Sequence, residues 1–248
     1  YILFLNLLSL SLTIGANYFF NTGVLNGNTM KTIAERYKNY FTPADYAFSI
    51  WGVIYLSLII HLIYSIYLFK NKKKEQSIID KFGLLFFGSN ILNCLWVYFW
   101  LTDEIGVCLI ILMLLLIVLV RVITSLYNDH KTLTIHNMFI MTPFSIYSGW
   151  VCVAFIANAA VFIRKYNLEH YFINETAWTI TLLIASAVMF IVTSWKYKTV
   201  SFGLTGVWGI SAVVFSNFNN QFCISISAIL AAIAVLSTCF YVVTTKLQ

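Results

Sequence analysis

The sequence predicts an all-α fold, a polytopic helix bundle that spans a membrane about eight times. Of its 248 residues 60% are hydrophobic and only 10% charged, and the mean hydropathy is +0.85. That leaves too little polar surface to coat a water-soluble globule. Eight apolar runs cover residues 1–20, 46–69, 82–101, 107–127, 139–163, 177–195, 202–218 and 223–245. At a rise of about 1.5 Å per residue, a run of about 20 residues crosses a hydrocarbon core of roughly 30 Å. The runs are continuously apolar, whereas the strands of a membrane barrel alternate over about ten residues.

The first run opens at Tyr1 rather than Met, so a short N-terminal piece is expected to precede this numbering. The run has no small-residue cleavage site and reads as a true span. Between the first two spans, residues 21–45 form the one connection with room for structure of its own. Met30, Ile33, Ala34, Tyr37 and Phe41 recur there at helical spacing, with Lys31, Glu35, Arg36 and Lys38 on other faces. They predict a short amphipathic helix, lying over the external mouth of the bundle or resting on lipid headgroups. The second span is announced by Phe41-Thr42-Pro43-Ala44-Asp45. Thr42 is expected to cap the helix, Pro43 to sit in its first turn, and Asp45 to place a carboxylate at its positive end. Trp178 and Trp195, at the two ends of the sixth span, read as interfacial anchors. In the seventh, Gly203, Gly206 and Gly209 make a small-residue face suited to close packing, within the chain or against a partner.

The formal net charge of +6 reflects membrane topology and not nucleic-acid binding, because the basic residues sit at span ends. Lys70, Lys72, Lys73, Lys74 and Lys81 assign the loop after span two to the cytoplasm. Alternation then puts Arg121, Lys131, Lys196, Lys198 and Lys246 inside as well. Lys31, Arg36, Lys38, Arg164 and Lys165 fall outside, together with the acidic Asp103-Glu104 turn. Both termini are then cytoplasmic. Cys94, Cys108, Cys152, Cys223 and Cys239 lack CxxC spacing and a His partner, and they read as small apolar residues.

Polar or aromatic stripes in a span turn toward protein or a cavity. Span one offers Asn6, Ser9, Thr13 and Asn17, and span two Trp51 and Tyr55. Span three offers Ser89, Asn93, Trp96 and Trp100, while span five offers Pro143, Tyr147, Trp150, Ala154 and Asn158. Two readings stay open: interhelical packing, or an aromatic, weakly polar pocket.

Over residues 1–167 these motifs resemble the TspO/MBR family, also called the tryptophan-rich sensory protein, translocator protein or peripheral benzodiazepine receptor family. Phe41-Thr42-Pro43 with Trp51 and Tyr55 resembles that family's entry to its second helix. Leu92-Asn93-Cys94-Leu95-Trp96 resembles its third-helix Leu-Asn-x-x-Trp, and Pro143 to Trp150 with Asn158 resembles its fifth helix. The family's second proline and aromatic after Thr-Pro are replaced here by Ala44-Asp45-Tyr46. The resemblance implies a five-helix core over residues 1–167, with external loop 21–45, and a three-helix extension over 168–248. It further implies a pocket for a porphyrin or haem-type tetrapyrrole, or another hydrophobic aromatic ligand. Trp51, Tyr55, Asn93, Trp96, Tyr147, Trp150 and Asn158 would line that pocket, and Ile33, Tyr37, Phe41 and Pro43 would form its lid. A bacterial inner membrane is the expected location, a mitochondrial membrane the alternative.

No catalytic residue and no metal ligand set is assigned, since the spans hold almost no acids, bases or paired carboxylates. His61 could ligate haem or relay a proton, but a lone His is more commonly a packed, hydrogen-bonded residue. Arg121 can snorkel to the cytoplasmic interface. P-loop, HExxH and Schiff-base lysine signatures are absent from the sequence. Asn174-Glu175-Thr176 forms a glycosylation sequon read as chance. The expected function is therefore that of a non-enzymatic receptor or transporter-like protein contacting lipid, a hydrophobic ligand and no nucleic acid. An accessory subunit that docks to a membrane complex or to a second copy through spans six to eight is the alternative, and porphyrin degradation a weaker one.

Overall fold

The computed structural model describes residues 1–71, 73–129, 135–168 and 174–246. Lys72 and Lys131 of the topology argument lie outside the described residues. Among the described residues there are nine α-helices and no strand. They are α1 (Ile2–Phe19), α2 (Met30–Arg36), α3 (Ile50–Asn71), α4 (Lys73–Leu101), α5 (Ile105–Asp129), α6 (Ile135–Lys165), α7 (Glu175–Tyr197), α8 (Val200–Asn217) and α9 (Phe222–Lys246). All but α2 belong to a helical segment long and apolar enough to cross a membrane, eight in all among the described residues. Length and hydropathy alone therefore placed every span. The chain is an integral, multi-pass membrane protein in contact with lipid.

Two compact units make up the chain: Tyr1–Thr29 with Trp51–Ser148, and Met30–Ile50 with Gly149–Gln248. This division by packing falls inside α6, whereas the sequence division at residue 167 follows motifs.

In the first unit α4 packs on both α1 and α5. The polar stripe of α1 meets α4. Asn90 Nδ2 donates to Ser9 Oγ at 2.9 Å, Thr13 Oγ1 donates to the Asn90 carbonyl at 3.2 Å, and Asn17 Nδ2 donates to Asn93 Oδ1 at 3.0 Å. In a solvent of lipid tails such bonds take the role that apolar burial plays in water. Gly83 of α4 lets Ile2 and Asn6 approach where a Cβ would collide.

In the second unit α9 packs on α8 and α7, and glycine makes the approach. A Cβ on Gly203 would strike Cys239 and Ser194, one on Gly206 the ring of Phe190, and one on Gly209 the side chain of Val153. Steps of three residues turn about 300° around a helix, so the face drifts from α9 and α7 to α6. The glycine face is used inside the chain.

The segment before α3 differs from the sequence reading. Thr42 does not cap the helix: its Oγ1 accepts the Asn39 N–H at 3.0 Å, closing a loop turn. The helix opens instead with a 3₁₀ turn, Asp45–Ser49, whose N-cap is Ala44 without a side-chain cap. The Ala44 N–H goes to the Ala212 carbonyl at 3.0 Å. A tertiary bond thus sets the start that Thr42-Pro43 was expected to set, and Pro43 lies before the helix. The amphipathic helix ends at Arg36, so Phe41 is buried from the loop and not from a helical face.

Candidate functional site

Trp51 and Tyr55 stand one turn apart on α3, and the i, i+4 spacing stacks their rings, with centroids 5.6 Å apart at 25°. Trp96 of α4 stacks on Trp51 at 5.7 Å and 30°, and Tyr147 of α6 meets Trp51 edge-on at 6.3 Å and 64°. Trp96 and Tyr147 are buried, while Trp51 and Tyr55 are half-buried. The cluster thus has a buried base, Trp96 and Tyr147, and a half-buried outer pair, Trp51 and Tyr55. Offset and edge-on arrangements of this kind satisfy the ring quadrupoles.

Asn93 sits one turn before Trp96 and is wholly buried. Its Oδ1 takes the Asn17 amide proton, which orients the side chain. Three buried polar atoms here lack a hydrogen-bond partner of normal geometry among the described residues: Asn93 Nδ2, which lies beside the Tyr147 hydroxyl, Trp96 Nε1 and Tyr55 Oη. Two of these are obligate donors and the third can donate. The Tyr147 hydroxyl reaches the Ser89 carbonyl at 3.5 Å, the long limit of such a bond.

The structure therefore gathers five of the seven sequence-predicted ligand residues into one cluster of the first unit. Trp150 and Asn158 belong to the second unit with Ile33, Tyr37, Phe41 and Pro43. There Trp150 meets Phe48 edge-on at 6.4 Å, and Asn158 Nδ2 donates to the Ala154 carbonyl at 2.9 Å while its buried Oδ1 has no partner among the described residues. Ile33 and Phe41 are buried, Pro43 is half-buried, and Tyr37 carries Lys165 Nζ 5.6 Å above its ring. On the surface of this unit the Asp45 carboxylate accepts from Lys31 Nζ at 2.6 Å. That hydrogen bond, with the charges of Asp45 and Glu35, raises the ammonium pKa above its ordinary 10.5.

His61 resolves as a packed residue with an identifiable task. Pro143 has no N–H, so the Phe139 carbonyl four residues earlier loses its helical donor. His61 Nδ1 stands 3.4 Å from that carbonyl, and because a carbonyl only accepts, the ring nitrogen donates. Phe82, Phe86 and Phe144 enclose the imidazole at centroid distances of 6.0, 6.0 and 5.0 Å. Arg121 is exposed. Among the described residues no three His, Cys, Asp or Glu side chains converge as a metal site. The Asn174 sequon lies at a helix start, where Asn174 Oδ1 accepts the Ala177 N–H at 2.9 Å and caps α7.

Sequence reasoning missed Asn90, which lies three residues before Asn93 and so extends its stripe, and Phe48, the ring beside Trp150. It also missed Tyr40, Trp208 and Asn217, which have no local signature because their partners are distant in sequence.

No curated protein and no solved structure matches this chain. A family profile described as TSPO-like protein matches residues 3–241, running through the last three spans as well as the first five. On that match the chain belongs to the TSPO-like protein family.

Proposed function

We propose that this TSPO-like membrane protein is a non-enzymatic receptor or transporter-like protein that binds a tetrapyrrole, or another flat hydrophobic ligand, on the Trp51, Tyr55, Trp96 and Tyr147 cluster. The observation that carries the reading is the stack of Trp51 with Tyr55 and Trp96, bordered by buried donors on Asn93, Trp96 and Tyr55. A flat π-system gains from the indole face, and its carboxylate or carbonyl oxygens suit donors that lack an acceptor of normal geometry. Asn93, oriented by Asn17, fixes direction in a site otherwise governed by shape.

The test is titration of detergent-purified protein with protoporphyrin IX, following tryptophan quenching corrected for inner-filter absorption. Saturation at roughly micromolar ligand is expected, with affinity weakened about tenfold or more by Trp51→Ala. Linear quenching in the wild type would end the tetrapyrrole reading. Affinity unchanged in Trp51→Ala and Trp96→Phe alike would move the site elsewhere. Bound porphyrin should keep its absorbance under illumination; its loss would favour degradation. Docking to a partner through the glycine face finds no support in the packing, since those glycines seat Cys239, Phe190 and Val153 of the same chain.

A further inference from the structure

Main-chain groups from Tyr40 to Ala47 are tied to the helices that follow the fifth span. Tyr40 is held at three atoms. Its N–H donates to Glu175 Oε1 at 3.0 Å, its carbonyl accepts from Asn217 Nδ2 at 2.8 Å, and its hydroxyl accepts from Gln221 Nε2 at 3.0 Å. These partners come from the start of α7, the last residue of α8 and the turn before α9. Asn217 also donates to the Val213 carbonyl at 2.9 Å, so both of its amide hydrogens are used and its orientation is set.

The fastening continues along α8. The Ala44 N–H reaches the Ala212 carbonyl at 3.0 Å, and Trp208 Nε1 donates to the Ala47 carbonyl at 3.2 Å. Tyr46 lies edge-on to both Trp208 and Phe215, at 5.1 and 5.6 Å. As the loop advances through residues 40, 44 and 47, its partners on α8 recede through 217, 212 and 208. The segment is therefore a strap running antiparallel to α8 from Asn217 to Trp208, nine steps or about 13.5 Å of helix axis at 1.5 Å per residue.

We propose that α7, α8 and α9 are a brace which holds the loop Met30–Ile50 in one conformation, with Tyr40 as its latch. Residues 37–44 lie between α2 and the 3₁₀ turn, outside any helix; their own bonds close the turn at Asn39 and Thr42, and the order of Tyr40 and Ala44 comes from outside it. At Tyr40 the ends of three helices meet one residue, so moving the loop requires breaking bonds to all three. The brace assigns a role to the last three spans that is independent of any ligand, and it holds whether or not a tetrapyrrole binds.

Hydrogen exchange of the full-length protein in lipid nanodiscs, read by mass spectrometry with residue resolution, tests it. In the wild type the Tyr40 and Ala44 amides are expected to exchange far more slowly than a free chain. Thr42, bonded inside the loop to the Asn39 carbonyl at 2.9 Å, is the reference amide. Glu175→Ala with Asn217→Ala should accelerate Tyr40 and Ala44 at least tenfold while amides in the middle of α8 keep their protection. Free-chain exchange of Tyr40 in the wild type, or unchanged rates in the double variant, would overturn the brace. Should α8 itself lose protection, Tyr40→Phe and Gln221→Ala remove only the hydroxyl bond. Each is expected to give a smaller acceleration confined to the loop, and no acceleration in either would also overturn the proposal.

Discussion

The two units associate their helices by different chemistry in the same solvent. In the first, α1 and α4 are joined mainly by side-chain hydrogen bonds among Ser9, Thr13, Asn17, Asn90 and Asn93, with one close glycine approach at Gly83. In the second, Gly203, Gly206 and Gly209 bring α8 against Cys239, Phe190 and Val153, and the polar contact at these crossings is the weak bond that the Cys239 thiol donates to the Val200 carbonyl at 3.8 Å. Lipid tails are as apolar as leucine, so helices need one or the other: directional bonds or backbones close enough for dense dispersion contact. The two modes differ in what breaks them. A bonded interface loses one bond at a time and keeps its shape, whereas a glycine interface fails when anything is added.

That contrast is sharpest at Gly206, where an added Cβ would collide with three ring atoms of Phe190, a fully buried side chain. Gly206→Ala is expected to cost about 1–3 kcal/mol by overpacking, and Gly206→Leu to abolish monodisperse protein in detergent. Thermal unfolding followed by size-exclusion chromatography reads both. A Tm unchanged in Gly206→Ala would show that α7 and α8 can separate freely, and the contrast between the units would fall.

In the first unit the largest single-bond effect is expected where proline has removed a carbonyl's helical donor. His61→Leu keeps a comparable apolar volume among Phe82, Phe86 and Phe144 but leaves the Phe139 carbonyl without its ring donor. The expected loss is about 1 kcal/mol. Pro143→Ala supplies a helical N–H to the same carbonyl, so the double variant should recover most of that loss. Additive effects in the cycle would mean that His61 stabilises through packing alone.

Much of this was legible in sequence, and what was not has physical causes. Span lengths follow from bilayer thickness, which is why eight runs became eight crossing helices. The Trp51 and Tyr55 stack follows from spacing within one helix. Partners across helices do not follow from spacing. Tyr147 and Trp150 are three residues apart on α6, yet Tyr147 meets Trp51 and Trp150 meets Phe48. The span is buried on most of its circumference, so periodicity cannot say which neighbour each ring touches. The glycine triplet was legible as a close-packing face, but its destination was not, because a small face looks alike whether it meets the same chain or another. Thr42 misled for a related reason. Its local signal for a cap was sound, and the bond from Ala44 to Ala212, 168 residues away, overrode it.

Smaller effects belong to bonds with substitutes nearby. Asn90→Leu removes the donor to Ser9 Oγ, but that hydroxyl still donates to the Asn6 carbonyl at 3.2 Å. An interhelical bond of this type in a membrane is worth about 0.6 kcal/mol, so a slight fall in Tm with unchanged m-value in a denaturant titration is expected. A loss comparable to that of Gly206→Ala would mean that the α1 and α4 interface is cooperative and not a set of separate bonds.

The weakest link should be the most conspicuous one on the surface. Lys31 pairs with Asp45 at 2.6 Å and with Glu35 at 3.6 Å. Its ammonium is raised above 10.5 in the folded state, first by the Asp45 hydrogen bond. A raised basic group stabilises the fold fully below its unfolded pKa, and that contribution is lost as pH climbs through the folded value. The pair is therefore fully formed at neutral pH, and its loss belongs above pH 10.5. Both partners are well exposed, with more than half of each side chain open to solvent, and exposed pairs are screened and entropically costly. Lys31→Gln is thus expected to leave the Tm at pH 7 unchanged within error, at low and high salt alike. The Tyr40 amide should keep its protection in this variant, because none of the three bonds at Tyr40 involves Lys31. Faster exchange there would show that the Lys31 and Asp45 pair holds the loop together with α7 and α8, and the line between a surface ornament and a structural tie would have to be redrawn inside the second unit.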